Sequence, residues 1–145
     1  MWLVNGAGST TSPATTLTFT TGDTLSQGEV VYVSGVYVLP ASTASGSDPT
    51  RWNAIGVTAE AAVTAADVGV ILDDIAIISS GNLVHQSALT PGQYYYVANN
   101  AGKLTAATAP SGITISGGYG AMTVVGLAIS SSELHVEVGS PVTLT

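Results

Sequence analysis

The sequence contains no cysteine, which excludes a disulfide framework and any zinc site built on thiolates, and leaves the redox compartment unread. Stability must come from packing and backbone hydrogen bonds, or from association with copies and partners. Charge is nearly as scarce. Arg51 and Lys103 stand against nine acidic residues, the formal net charge is -7, and charged residues make up 8% of the chain, where a globular protein carries about 25%. Affinity for nucleic acid comes largely from Lys and Arg, and so does attraction to anionic membranes, so neither partner is expected. The first 22 residues carry no charge, and neither does Leu104 to Ser132. Two readings stay open: a β surface kept soluble by hydroxyls, or a surface buried against other subunits.

Long apolar runs are also missing. No stretch reaches the ~18 apolar residues of a transmembrane helix, and the longest candidate, Val68 to Ile78, is broken by Asp73 and Asp74. The N-terminus lacks the basic region and apolar core of a signal peptide. A soluble protein without an export leader is expected. At 145 residues the chain is one domain's worth, enough to bury about 70% of its unfolded surface.

What is present reads as β structure. Residues 1–16 form an extended N-terminal arm: an apolar plug of Trp2, Leu3 and Val4, then Asn-Gly-Ala-Gly and a Ser/Thr/Pro run with too little periodic apolar content to fold alone. Trp2 is expected to dock, either into its own core or onto a neighbouring subunit. From Leu17 onward, β-branched and aromatic runs are punctuated by turn signals. Strands are expected at Leu17–Phe19, Glu29–Val33, Val36–Leu39, Ala54–Ala59, Val68–Ile78, Gln93–Ala98, Gly102–Ala106, Ile113–Ser116, Met122–Ala128, Leu134–Val138 and Val142–Leu144. Such short, closely spaced strands predict a single all-β domain over 17–145, a barrel or sandwich. One helical turn is a candidate within Thr58–Asp67, with Thr64 as its N-cap.

An internal echo organises the domain into pseudo-repeats over about 22–60 and 86–130. Leu25-Ser-Gln-Gly28-Glu-Val-Val-Tyr32-Val33 matches Leu89-Thr-Pro-Gly92-Gln-Tyr-Tyr-Tyr96-Val97. Leu39-Pro-Ala41 then matches Leu104-Thr-Ala106 after a one-residue slip, and Ile55-Gly56-Val57 answers Val125-Gly126-Leu127. Each unit holds a turn whose glycine permits positive φ, a strand, a hairpin return and a further strand.

Catalytic constellations are thinly supplied. His85 and His135 are the histidines, and alternation points His135 away from the core, so both read as structural or surface residues. No G-x-S-x-G elbow presents a serine. Asp73-Asp74 is the adjacent carboxylate pair, but neighbours on a strand face opposite ways and cannot share a proton. The pair reads as a bulge or solvent-facing turn; a calcium site with Asp67 is the minor alternative. Glu133 and Glu137 read as protection of a terminal strand's edge. Gly6-Ala-Gly8 lacks the third glycine of a dinucleotide loop, and Ser116-Gly-Gly-Tyr-Gly120 lacks the Walker lysine and reads as a hairpin tip. Of Tyr94, Tyr95 and Tyr96, two rings should share one face and the third the other, with carbohydrate stacking a minor reading. No enzyme, cofactor or metal is expected.

The pattern Leu89-Thr-Pro-Gly92-Gln-Tyr-Tyr-Tyr96-Val97, Ala101-Gly102-Lys-Leu104-Thr, Val124-Val-Gly126-Leu-Ala128 and Leu134-His-Val136 resembles the β domains of capsid decoration (cement) proteins of tailed phages, and also domains appended to tail fibres. In the first half, Gly28-Glu-Val-Val-Tyr-Val33, Val36-Tyr-Val-Leu-Pro40 and Gly56-Val-Thr-Ala-Glu60 are similar to the head-decoration side of that split. The resemblance implies a β-tulip or jelly-roll-like domain, set as a homotrimer on the outer surface of the expanded head. It would bridge copies of the major capsid protein against internal DNA pressure, with Trp2, Leu3 and Val4 of the arm reaching a neighbour. The pattern supplies no catalytic residues. Its departure here is the very low charge. A tail-fibre or tail-tip module binding a receptor or glycan is the alternative, and a small bacterial enzyme or lectin is the third reading.

Overall fold

The computed structural model describes residues 15–44, 48–84, 86–106 and 120–143, and it is all-β. Twelve strands account for its regular structure: β1 (Thr16–Thr21), β2 (Val30–Ser34), β3 (Tyr37–Pro40), β4 (Ala54–Thr58), β5 (Asp67–Ile71), β6 (Ile75–Ile77), β7 (Tyr94–Val97), β8 (Leu104–Ala106), β9 (Ala121–Met122), β10 (Val124–Ala128), β11 (Glu133–Val136) and β12 (Val142–Thr143). Two short 3-10 turns, at Pro49–Trp52 and Ser80–Asn82, are the remaining regular elements among the described residues.

Ten of the twelve strands form two units with one strand order, and β9 and β12 pair with each other as a separate two-stranded sheet. In the first, β1-β3-β2-β4-β5 closes into a barrel, because β1 pairs antiparallel with β5 and parallel with β3. In the second the order is β6-β11-β10-β7-β8. Reading β6 for β1, β7 for β2, β8 for β3, β10 for β4 and β11 for β5 turns one order into the other. Even the closing contact recurs: Thr21 pairs with Val38 and the Gly22 N–H donates to the Val38 carbonyl, while Leu83 bridges Leu104 in parallel and the Val84 N–H donates to the Leu104 carbonyl.

The irregularities are duplicated too. Between β2 and β4 the register shifts beside Ile55, and between β7 and β10 it shifts beside Val125. Gly56 and Gly126 follow these bulges, where a Cβ would run into the carbonyl oxygens of Ile71 and His135 respectively. Gly28 and Gly92 both open their strands at positive φ, +85° and +89°, a conformation that favours glycine. One detail corrects the sequence reading. Val33 faces Val38, whereas Val97 faces Leu104, so the hairpin slips by two residues between units rather than one. With a one-residue slip, Leu39 would take the place of buried Leu104; a strand shifted by one turns every side chain to the other face, and it is Val38 that is buried.

Alternation along the strands builds the core. Val31, Val38, Val68 and Val70 fill the barrel, with Phe19, Ile55 and Leu72 packed against them. A larger cluster joins Val30, Tyr32, Val57 and Ile71 of the first unit to Ile78, Tyr95, Val97, Leu104, Val125, Leu134 and Val136 of the second. The segment after β3 seals the junction. Buried Thr43 donates its hydroxyl to the Val97 carbonyl at 2.8 Å, the Ser42 hydroxyl donates to the Asn99 carbonyl at 2.9 Å, and the Gly102 N–H donates to the Ala41 carbonyl at 2.8 Å.

Three sequence expectations change. Val68–Ile78 is two strands rather than one, with Asp73 and Asp74 in the turn between them. The candidate helical turn within Thr58–Asp67 is instead a loop. Ala62 and Leu25 exchange backbone hydrogen bonds of 2.9 and 2.8 Å, and Ala65 takes a left-handed φ of 71°; so short a segment gains little from helix propensity. β11 is no sheet edge, since it lies between β6 and β10. Glu133 instead closes a turn, accepting from the Ser130 hydroxyl at 3.0 Å.

Candidate functional site

Residues Trp2, Leu3 and Val4 of the arm lie outside the described residues, as do His85, the expected strand Ile113–Ser116 and all of the glycine-rich tip except Gly120. His135 points out of β11 between fully buried Leu134 and Val136. Its Nε2 stands 3.6 Å from Asp73 Oδ1, with both side chains well exposed. Asp74 accepts from the Thr15 N–H at 2.9 Å and the Ile75 N–H at 2.7 Å. These bonds, the first above all, hold its carboxyl below the usual aspartate value, and His135 contributes least. Asp74 therefore works as a turn clamp, tying Thr15 at the root of the arm to the link between the units. Asp67 does not join it: no group of three or more potential metal ligands forms among the described residues.

The tyrosine triplet splits as alternation requires. Tyr95 is fully buried, its hydroxyl donating to Gln86 Oε1 at 2.6 Å and accepting from the Thr90 N–H at 2.9 Å. Tyr94 is 55% exposed and Tyr96 half-buried on the other face.

The surface features best placed for function are apolar and were not singled out by the sequence. One is a groove of about 460 Å³ at the mouth of the barrel, lined by Phe19, Val33, Ile55 and Leu72 with Asn53, Ala54 and residues 138–141. No charged residue lines it among the described residues. The other is a row on the outer face of the second unit. Ile75 pairs with His135, His135 with Leu127, and Leu127 with Tyr94, so four side chains cross four strands in one line. Ile77, 47% exposed, extends the patch along β6. Contiguous exposed apolar surface of this kind marks contact with another macromolecule more often than scattered single residues do.

No family model matches the chain, and no curated protein does. The geometry therefore carries the functional reading. No helix among the described residues is long and apolar enough to cross a membrane. Of the two surfaces, the row was within reach of the sequence: Ile75, Ile77 and Leu127 are the outward residues of strands whose inward residues are equally apolar. The mouth was not, because Phe19, Val33, Ile55 and Leu72 meet only when the barrel closes.

Proposed function

We propose that this protein is a structural component of a virus particle, a capsid decoration protein that binds the outer surface of an expanded phage head and bridges neighbouring capsid subunits. The observation that carries the proposal is the pair of uncovered apolar surfaces, the barrel mouth and the Ile75–Tyr94 row, on a body whose backbone is tied into sheets. A protein that completes its packing on neighbours has use for such surfaces; burial of apolar area is the main driving force of association. The scarcity of charge fits the same role, since charged residues are depleted from the cores of interfaces. In this reading the arm adds further contact through Trp2, Leu3 and Val4, and the partners are the major capsid protein and other copies of the chain. The role is mechanical and requires no catalytic group, cofactor or metal.

Exposed Tyr94 beside half-buried Tyr96 favours a second reading, a tail-fibre or tail-tip module that stacks a sugar of a host receptor on an aromatic face. Gold labelling of intact virions with an antibody to this protein separates the two. Label in a regular many-copy array over the head is expected. Label confined to the tail transfers the protein to the second reading, and a particle without label refutes both.

A further inference from the structure

The two units display matching surfaces in opposite states. The row Ile75–His135–Leu127–Tyr94 of the second unit has its counterpart in Thr16–Ile71–Val57–Val30 of the first, paired through the same strands in the same order. In the first unit Ile71, Val57 and Val30 are buried to between 0 and 3% exposure. In the second, Tyr94 is 55% exposed, His135 keeps 44% of its side chain in solvent, and Leu127 and Ile75 are half-buried rather than sealed. The mouths show the reverse. In the first unit Val33 is 40% exposed and Phe19, Ile55 and Leu72 are half-buried around the groove. Their counterparts Ile78, Val97, Val125 and Val136 are buried to between 0 and 3%.

One interface accounts for both differences. The row of the first unit and the mouth of the second belong to a single apolar cluster, and Thr43 locks the junction by donating to the Val97 carbonyl. Within the chain, then, a row covers a mouth. The first unit's mouth and the second unit's row remain, and they are the two complementary halves of the interface the molecule already makes with itself. We infer that copies of this chain associate head to tail, the Ile75–His135–Leu127–Tyr94 row of one copy seating on the Phe19–Val33–Ile55–Leu72 mouth of the next. The uncharged mouth suits this occupant, since the row brings two aliphatic side chains, a tyrosine and an imidazole, while well-exposed Asp73 stands 3.6 Å from His135. A contact between unlike surfaces cannot be completed by two copies alone, so it propagates into a closed ring or a filament. The inference does not rest on the virion reading, because its template is the intramolecular junction, but it assigns to neighbouring copies both surfaces on which that reading draws.

Sedimentation velocity on the full chain tests it, using Tyr94→Glu on the row and Val33→Glu at the mouth, both at exposed positions. The wild type is expected to form oligomers larger than a dimer. Each variant alone is expected to be folded by circular dichroism and to associate about 100-fold more weakly, because an unpaired carboxylate would be buried. The decisive sample is the mixture. Each variant keeps one sound surface, so together they should give a 1:1 dimer and nothing larger. Ser140→Glu, at an exposed position that also lines the groove, replaces Val33→Glu if that variant does not fold. A monomeric wild type, variants that associate like the wild type, or a mixture that stays monomeric would each overturn the inference. A chain that oligomerises only after removal of residues 1–14 would also overturn it, by showing that the chain's own N-terminal segment fills the mouth.

Discussion

Replacing Gly126 by alanine asks how tightly two backbones are pressed together in the second unit. Gly126 lies opposite Val136 just after the β10 bulge. A Cβ there would overlap the His135 carbonyl oxygen and stand 2.9 Å from its carbon and 3.1 Å from Val136 Cα. All three atoms are backbone, so no side chain can swing aside, and β10 must move away from β11. Overpacking of this kind costs about 1–3 kcal/mol. The movement also loosens the bonds from the Glu137 N–H to the Val125 carbonyl and from the Gly139 N–H to the Val124 carbonyl, 2.7 and 3.0 Å, each worth about 1 kcal/mol. Alanine returns about 0.5–1 kcal/mol by restricting the unfolded chain. A net loss of about 2–4 kcal/mol follows, which lowers Tm by roughly 6–12 °C in a chain of this size. Two other glycines calibrate the result. At Gly92, φ is +89° with open space around the built Cβ, so alanine should cost about 1–2 kcal/mol from backbone conformation alone. At Gly81 nothing lies within 4 Å and φ is not positive, so alanine should fall within about 0.5 kcal/mol of the wild type. Urea denaturation at one fixed protein concentration ranks the three, the concentration being held because association would shift apparent stability. If Gly126→Ala is no worse than Gly81→Ala, the close approach of β10 and β11 is wrong.

Three further outcomes are expected. Tyr95→Phe keeps the ring but strands the Thr90 N–H and Gln86 Oε1, and should cost about 1–3 kcal/mol in urea denaturation; a change below about 0.5 kcal/mol would mean that water replaces the hydroxyl. Asp74 should titrate below the ordinary aspartate value of 3.8, because the Thr15 and Ile75 N–H groups favour its charged form. Its contribution to stability is therefore complete above the unfolded value and disappears as pH falls through the lower folded one; Asp74→Asn should flatten that part of the acid limb, and an NMR midpoint at or above 3.8 would contradict the clamp. Deleting Met1 to Pro13 should leave the domain folded while weakening its binding to particles, as a capsid co-sedimentation assay would register; unchanged binding removes the arm from the contact.

Much of the architecture was legible because it rests on period and punctuation. Strand alternation placed Leu134 and Val136 inside and His135 outside and divided the three tyrosines between two faces, and the Gly28/Gly92 pair marked the turns of positive φ; which tyrosine is buried, and the bulges at Gly56 and Gly126, came only with the structure. What failed was decided at longer range. The alanines between Thr58 and Asp67 favour helix locally, yet the backbone of Ala62 is committed to Leu25, a partner far away in sequence. The hairpin slip depended on the length of the 98–103 connection, and similar residues on either side of a strand disguise a shift of one. Glu133 looked like edge protection because nothing local revealed that β6 would pair beyond it. The open mouth, likewise, is a property of closure rather than of any segment.

The contrast between the two rows also bears on how such a molecule survives before it meets a partner. Val30, Val57 and Ile71 are covered from the moment the chain folds, and plain hydrocarbon is tolerable there because water never competes for it. The corresponding positions in the second unit carry Tyr94, Leu127 and His135, and two of these three end in groups that bond well to water. In the association proposed above, a newly made copy would wait with its row wetted through a phenol hydroxyl and an imidazole, and still present the broad ring faces that pack when the water leaves. In that head-to-tail association, two units of one strand order would separate two demands that a single unit could meet only by compromise: a permanent seal on one side, and on the other a surface that keeps its water until the next copy displaces it.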